Sequence, residues 1–129
     1  MAEIENFLSV AENLARKAGD LCLELQKNLG DVKYKSVKDV VTIADVSSEK
    51  LIVEGLHAAF PTHSIRTEEA GVIEGLDPRY RWIIDPVDGT VNFSRGIPLW
   101  GISIALHFEG KPLVACVNLP KLGELYTAA

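Results

Sequence analysis

The sequence predicts an α+β layered fold in which two N-terminal helices pack on an antiparallel sheet. Apolar residues recur at helical spacing before Pro61. After Pro61, short alternating segments separated by turns containing Gly or Pro indicate strands. Helices followed by a run of strands are typical of a layered α+β domain. At 129 residues the chain has the length of one domain and can bury a sizeable core.

The first helix is predicted over residues 2–29, where apolar residues step by threes and fours. They are Ile4, Phe7, Leu8, Ala11, Leu14, Ala15, Ala18, Leu21, Cys22 and Leu25. Gly30 follows as a typical residue just past a helix end. Residues 31–41 are lysine-rich, and we expect them to form an irregular link.

A second helix is expected from about Thr42 to Phe60, before Pro61. Thr42 and Asp45 resemble a capping box at its start, with Asp in place of the usual Glu. The strands that follow are predicted at His63–Thr67, Arg81–Ile84, Gly101–Phe108, Leu113–Leu119 and Glu124–Thr127. The strict alternation within Gly101–Phe108 is the strongest of these strand patterns.

Composition limits the class of protein. Hydrophobic residues make up 47% and charged residues 24%, which excludes a disordered chain and a coiled-coil rod. The net charge of −5 argues against a general nucleic-acid binder, although an acidic protein can bind phosphate when a metal ion supplies positive charge. The acidic start and the lack of a long apolar run argue against a signal peptide and a membrane span. With Cys22 and Cys116 interpreted as buried reduced thiols, we expect a cytoplasmic protein.

The chemistry concentrates where an apolar strand runs into Asp85. Pro86 makes the following turn rigid, and Asp88 comes three residues later. The two carboxylates can therefore converge on one side of the turn, with the carbonyl of Val87 between them. These are hard oxygen ligands, which suit magnesium or manganese. The alternative is an ordinary surface turn, since Asp, Pro and Gly are the usual turn residues.

The residues after Asp88 predict a phosphate site beside the metal ligands. Gly89 permits close approach of the backbone to a ligand. Residues 89–95 are expected to form a short helix whose first N–H groups bind phosphate. Thr90 adds a hydroxyl at the same place.

Three further acidic residues are candidates for the same site. Glu68 and Glu69 follow a short strand, and only one of two adjacent side chains can face the site. Their alternative role is a solvated loop charge. Asp45 is the third position, and its alternative role is capping or dipole compensation at the second helix.

These residues resemble the inositol monophosphatase family, whose core reads Asp-Pro-hydrophobic-Asp-Gly-Thr-x-Asn-Phe. Residues Trp82–Phe93 carry that string. Asp39–Asp45 resembles the family segment before the second helix, and Phe60–Glu69 resembles the stretch that ends in Gly-Glu-Glu. Leu99–Thr127 resembles the family's meander. The resemblance covers essentially the whole chain and implies the first part of an α/β/α/β/α sandwich.

The resemblance implies a magnesium-dependent, lithium-sensitive phosphatase that binds two or three ions, with manganese as a substitute, and works as a homodimer. The metal ligands would be Glu68, Asp85, Asp88 and the Val87 carbonyl. The phosphate would be bound at Asp88, Gly89 and Thr90. Glu68 and Thr90 would activate the attacking water, and Asp45 would accept a hydrogen bond from the Thr90 hydroxyl. Lys35 lies where the family often has a basic residue near the phosphate.

The resemblance also implies departures and alternatives. Thr67 stands where the family has glycine, which puts the approach of Glu68 in question. Family chains are roughly twice as long, and the remainder supplies another aspartate ligand, so we expect an N-terminal portion with weak or no activity alone. The favoured substrate is inositol monophosphate. Fructose 1,6-bisphosphate, a nucleotide 3′-phosphate and histidinol phosphate stay open, as does a non-catalytic metal-binding or regulatory role.

Overall fold

Two long helices lie on one face of a six-stranded sheet in the described part of the chain. The structure is a computed structural model that describes the backbone of residues 2–27, 34–68 and 70–129, and the side chains of all of these but residues 2, 34–40 and 42. The elements in chain order are α1 (Ala2–Lys27), α2 (Tyr34–Ala59), β1 (His63–Thr67), β2 (Gly71–Ile73), β3 (Asp77–Asp88), α3 (Thr90–Ser94), β4 (Gly101–Phe108), β5 (Lys111–Leu119), a short 3₁₀ helix (Pro120–Leu122) and β6 (Glu124–Ala128).

The two helices are confirmed, but the second begins earlier than predicted. The expected link over 31–41 is wrong from Tyr34 onward, because α2 already begins there. No Gly or Pro interrupts the chain between Tyr34 and Glu54, so nothing in that stretch breaks the helix. Asp45 therefore lies inside the helix, and its interpretation as part of an N-terminal cap is wrong. Gly30 lies outside the described residues. No described helix combines the length and apolarity needed to cross a bilayer.

The sheet is mixed, not purely antiparallel as predicted. Its strands are ordered β2-β1-β3-β4-β5-β6, and β1 pairs with β3 in parallel while the other neighbours are antiparallel. The difference arises because the sequence analysis missed β2. This three-residue strand reverses the chain outside β1, so β3 returns along the other side of β1 in the same direction.

The core lies between the helices and the inner face of the sheet. The predicted alternation in β4 is confirmed, because Ile102, Ile104 and Leu106 are fully buried. α1 faces them with a fully buried row of small residues, Ala11, Ala15, Ala18 and Cys22. Small side chains let the helix axis approach the sheet closely, and Asn118 of β5 donates a buried hydrogen bond to the Ala15 carbonyl (2.9 Å).

β3 is longer than predicted and carries a bulge at the residues expected to form a turn. Asp85 pairs with Ser103 and Asp88 pairs with Gly101, so three steps along β3 match two steps along β4. The extra residue is the mark of a β-bulge. Because Pro86 has no N–H to donate to a neighbouring strand, a bulge is a position where a sheet tolerates it. The predicted turn is therefore a bulged end of a strand.

An aromatic cluster closes one end of the core around His63. The His63 ring stacks on Tyr80 (4.4 Å between centroids) and on Phe60 (5.0 Å). Trp82, which is fully buried, donates its indole N–H to Nδ1 of His63 (3.0 Å). That hydrogen bond requires a neutral imidazole. Burial accordingly lowers the pKa of His63, although the negative charge of nearby Asp77 opposes the shift.

We expect His63 to make the fold less stable in mild acid. The native state binds the His63 proton less tightly than the unfolded chain does. The contribution of neutral His63 to the free energy of unfolding is therefore complete above about pH 6.5 and is lost as pH falls below that value. The melting temperature should drop by a few degrees between about pH 7.5 and 5.5. His63→Gln should flatten this dependence, whereas His57→Gln on the exposed side of α2 should leave it intact. If melting temperature changed equally with pH in both variants, this pH dependence would not come from His63.

Candidate functional site

Asp85 is placed at the carboxyl end of β3 by the pairing of its strand with β1 and β4. Its side chain is partly buried, and among the described groups its Oδ1 atom is buried without a hydrogen-bond partner. Burial raises the pKa of Asp85, and the negative charges of Asp88 and Glu68 raise it further. The backbone N–H of Val87 acts in the opposite direction by hydrogen bonding to the carboxylate. Asp85 is thus an acceptor that the protein alone leaves incompletely satisfied.

Glu68 and Asp88 approach Asp85 from neighbouring parts of the sheet edge. β1 and β3 are parallel and Thr67 pairs with Ile84, so Glu68 leaves β1 beside the point where Asp85 continues β3. Both Glu68 and Asp88 are exposed. An open groove of about 590 Å³ has Glu68, Asp85, Thr67 and Ile84 among its lining residues. Glu69 lies outside the described residues.

The donor set suits a divalent cation with oxygen ligands but does not form a closed cage. Asp85, Asp88 and Glu68 are carboxylates, and Val87 contributes a backbone carbonyl, the ligand chemistry that magnesium takes. Within the described residues, no three Asp, Glu, His or Cys side chains converge as a complete metal site. The unpartnered Oδ1 of Asp85 and the mutual repulsion of these charges fit a cation as their missing partner.

Gly89 makes a tight corner between β3 and the short helix α3. Its backbone is left-handed (φ 86°, ψ 46°), and a Cβ added there would lie 3.0 Å from the carbonyl oxygen of Leu99. Only glycine combines that conformation with that approach at low cost. α3 begins at Thr90, within the predicted range of 89–95. Asn92 then closes the following loop by donating to the Leu99 carbonyl (2.8 Å).

Comparison with known proteins decides the family. The model of the inositol monophosphatase family matches residues 3–129. The chain belongs to the inositol monophosphatase family. It is 43% identical to Nus factor SuhB of Vibrio cholerae over 123 residues, which are 94% of this chain and 46% of that protein.

Solved structures agree with this assignment. The extragenic suppressor protein SuhB of Bartonella henselae superposes with a TM-score of 0.85 at 35% identity, covering 95% of this chain and 48% of that one. An inositol monophosphatase of Anabaena gives 0.82 at 35% identity, covering 98% and 45%. Inositol monophosphatase II of Staphylococcus aureus, solved with inositol monophosphate bound, gives 0.76 at 26% identity, covering 95% and 44%. The chain thus spans about half the length of the relatives it matches, and the predicted layered fold is confirmed.

The position where this chain departs from the family motif has a structural explanation. Thr67 is a buried residue of β1, and Glu109 is the single described non-glycine residue with a positive φ, so Thr67 needs no glycine-like backbone. Its hydroxyl accepts a hydrogen bond from the backbone N–H of Ala70 (2.9 Å). A threonine here therefore closes the turn that follows Glu68.

The more distant predicted residues lie on α2. Asp45 is partly buried and lies near Cys22, where its negative charge contributes to the raised pKa of that thiol. α2 packs against α3, so the helix of Asp45 contacts the helix that begins at Thr90. Lys35 is part of α2, but its side chain lies outside the described residues.

Two buried polar side chains that were not predicted from the sequence support the site. Ser48 donates to the carbonyl of Pro86 in the bulge (2.8 Å), and Gln26 of α1 donates to the carbonyl of Phe93 in α3 (3.0 Å). Ser48 lies in the same four-residue row of α2 as the buried Ile52. A serine in an otherwise apolar row is a signal that could have identified it.

We expect Gly89→Ala to destabilise the chain more than Gly110→Ala. Gly110 has nearly the same left-handed φ (81° against 86°), but no atom lies within 4 Å of the Cβ it would gain. The control Gly110→Ala should therefore lower the free energy of unfolding only by the conformational cost, roughly 1–2 kcal/mol. Gly89→Ala adds the contact with the Leu99 carbonyl. Urea unfolding measures both losses, and equal losses would show that the close approach does not matter.

Proposed function

We propose that the chain carries the metal- and phosphate-binding residues of a magnesium-dependent phosphatase that acts on a small phosphate monoester. The observation that carries the proposal is the Asp85 carboxylate, which has a buried unpartnered oxygen beside two further carboxylates. A protein does not gain stability from such an arrangement, so the arrangement favours a ligand of opposite charge. Membership of the inositol monophosphatase family supports phosphate ester hydrolysis as the chemistry.

The metal would be held by Asp85, Asp88, the Val87 carbonyl and Glu68. Bound magnesium would supply the positive charge that lets an acidic site accept a phosphate dianion and that activates water. Asp85 contributes the acceptor that the fold leaves unsatisfied, and Val87 N–H holds one side of that carboxylate. Asp88 and Glu68 are exposed, so a ligand could reach both from solvent.

The phosphate would contact the corner between β3 and α3. The tight turn at Gly89 exposes backbone there, and we assign phosphate binding to Asp88, Gly89 and Thr90. The Thr90 hydroxyl and the Glu68 carboxylate would orient the attacking water, and Asp45 would accept a hydrogen bond from the Thr90 hydroxyl. Among substrates we favour inositol monophosphate, the compound bound in the similar S. aureus structure.

The remaining proposals concern the protein as a whole. Because the chain spans about half the length of its relatives, we propose that it is the N-terminal portion of the family domain. We further propose a cytoplasmic homodimer that is inhibited by lithium, with manganese able to replace magnesium. Lys35 is proposed as a basic residue near the phosphate.

A role as a Nus factor is the second candidate function. The observation that favours it is the name of several relatives, among them Nus factor SuhB of Vibrio cholerae at 43% identity. The variant Asp85→Asn separates the two functions. A role in transcription that is independent of phosphatase chemistry would survive this substitution, whereas hydrolysis would not.

We expect magnesium to raise the melting temperature of the chain and Asp85→Asn to abolish that rise. The same variant should melt higher than the unmutated chain when no metal is present at neutral pH. Because the pKa of Asp85 is raised in the folded chain, the contribution of this group to stability is complete in acid and is lost as pH rises through that pKa. An asparagine is neutral at every pH and therefore removes the cost of the ionised carboxylate. Differential scanning calorimetry with and without magnesium measures both effects.

Asp20→Asn is the matched control, since this exposed aspartate of α1 is no part of the proposed site. It should leave the magnesium response unchanged. An unmutated chain that shows no magnesium response would contradict the proposed metal site. A destabilised metal-free Asp85→Asn variant would contradict the electrostatic argument.

We expect the 129-residue chain to hydrolyse inositol 1-phosphate slowly or not at all under saturating magnesium. Its relatives are about twice as long, so the site would be complete only with residues that this chain does not supply. Release of inorganic phosphate measures the turnover, with Asp88→Asn as the background. Turnover at a typical enzymatic rate, of order 1–10³ s⁻¹, would show that the chain suffices.

A further inference from the structure

Ser48 is a fully buried polar residue on the face of α2 that packs against β3. It occupies the same helix row as Ala44 and Ile52, which are also fully buried. Its hydroxyl donates to the carbonyl oxygen of Pro86 at 2.8 Å, a contact between residues 38 positions apart. A polar group at such a site needs its partner, because a buried carbonyl without one loses its hydrogen bond to water and gains nothing in return.

The carbonyl that Ser48 binds belongs to the peptide between Pro86 and Val87, which lies in the bulge of β3. Neither Pro86 nor Val87 has a ladder partner on β4, so the sheet does not fix the peptide between them. That peptide is trans, and a trans peptide is planar with its C=O and N–H pointing in opposite directions. Holding the Pro86 oxygen from one side therefore aims the Val87 N–H to the other. There it faces the Asp85 carboxylate, whose pKa it lowers.

A second buried group, the Cys22 thiol, lies beside Ser48. The thiol of Cys22 is fully buried and in hydrogen-bond contact with Ser48. Burial raises the pKa of Cys22 to about 12, so the thiol keeps its proton. Because the Pro86 carbonyl can only accept, the serine proton goes to Pro86, and the protonated thiol can donate to the Ser48 oxygen. Each hydrogen bond in such a chain polarises the next.

We infer that Ser48 is a positioning residue that orients the Asp85 carboxylate through the Pro86–Val87 peptide. The consequence for metal binding rests on the proposed function, in which Asp85 is a ligand. Groups that orient metal ligands in this way change affinity without touching the ion. Ser48 thus links the packing of α2 to the geometry of the metal site.

The first experiment tests the orientation in the metal-free chain. In ¹H–¹⁵N NMR spectra, Ser48→Ala should move the Val87 amide resonance and speed its hydrogen exchange, because the peptide loses its anchor. Ser48→Thr retains a hydroxyl and should restore the resonance. Ser47→Ala on the same helix, which lines a groove between α1 and α2, is the control. A Val87 amide that is unchanged in Ser48→Ala would overturn the inference, whatever the metal does.

The second experiment tests the consequence by magnesium titration calorimetry. Ser48→Ala should weaken magnesium binding by roughly tenfold or more, and Ser48→Thr should recover most of that loss. A purely structural role would lower the melting temperature of Ser48→Ala and leave the affinity of the folded protein unchanged, which would overturn the inference. If the unmutated chain itself binds no magnesium, the proposed function fails, and the NMR result alone decides the role of Ser48.

Ser48→Cys keeps the inference falsifiable if Ser48→Ala does not fold. The thiol has nearly the size of the hydroxyl and is a weaker donor. The Val87 amide should then shift in the same direction as expected for alanine, but by less. A Ser48→Cys chain with an unchanged Val87 amide and unchanged magnesium affinity would also overturn the inference.

Discussion

Repulsion among the carboxylates at the end of β3 is the constraint on which the site depends. Asp85, Asp88 and Glu68 come from two adjacent strands, and the chain brings them together against their mutual charge. Folding has to supply that free energy from elsewhere, and the source is the apolar core behind the sheet. Trp82 and Ile84, which precede Asp85 on the same strand, are buried in that core. The strand that stabilises the molecule thus ends in the group that destabilises it.

The backbone around this point is held by side chains from elements distant in sequence. α2 reaches the bulge through Ser48, and α1 reaches α3 through Gln26. Within the loop between α3 and β4, Asn92 donates to the Leu99 carbonyl. Each of these side chains donates to a backbone carbonyl, so the conformation of residues 86–99 is fixed with little dependence on which apolar side chains fill the surroundings. Backbone anchoring of this kind is how a site on a turn can be as rigid as one on a regular element.

Local patterns in the sequence predicted most of the elements, and non-local geometry accounts for the rest. The alternation in β4 and the helical spacing in α1 report burial directly, so both elements were found. β2 was not predicted, because three residues are too few to show a period. The parallel pairing of β1 and β3 was therefore not predicted either. The strand leading to Asp85 was found, but the bulge was interpreted as a turn, since Asp, Pro and Gly occur in both. The support from Ser48 depends on how α2 crosses the sheet, which no spacing in the sequence reveals.

The bond between Asn118 and Ala15 also constrains how this molecule forms. The two residues are 103 positions apart, and through them β5 holds the first helix on the sheet. While the chain is being synthesised, the small-residue row of α1 has no strand to pack on until most of the sequence has been made. Contacts of such long range form slowly, because the loop between them must be closed first. We therefore expect α1 to dock late, although it precedes every strand of the sheet in the chain.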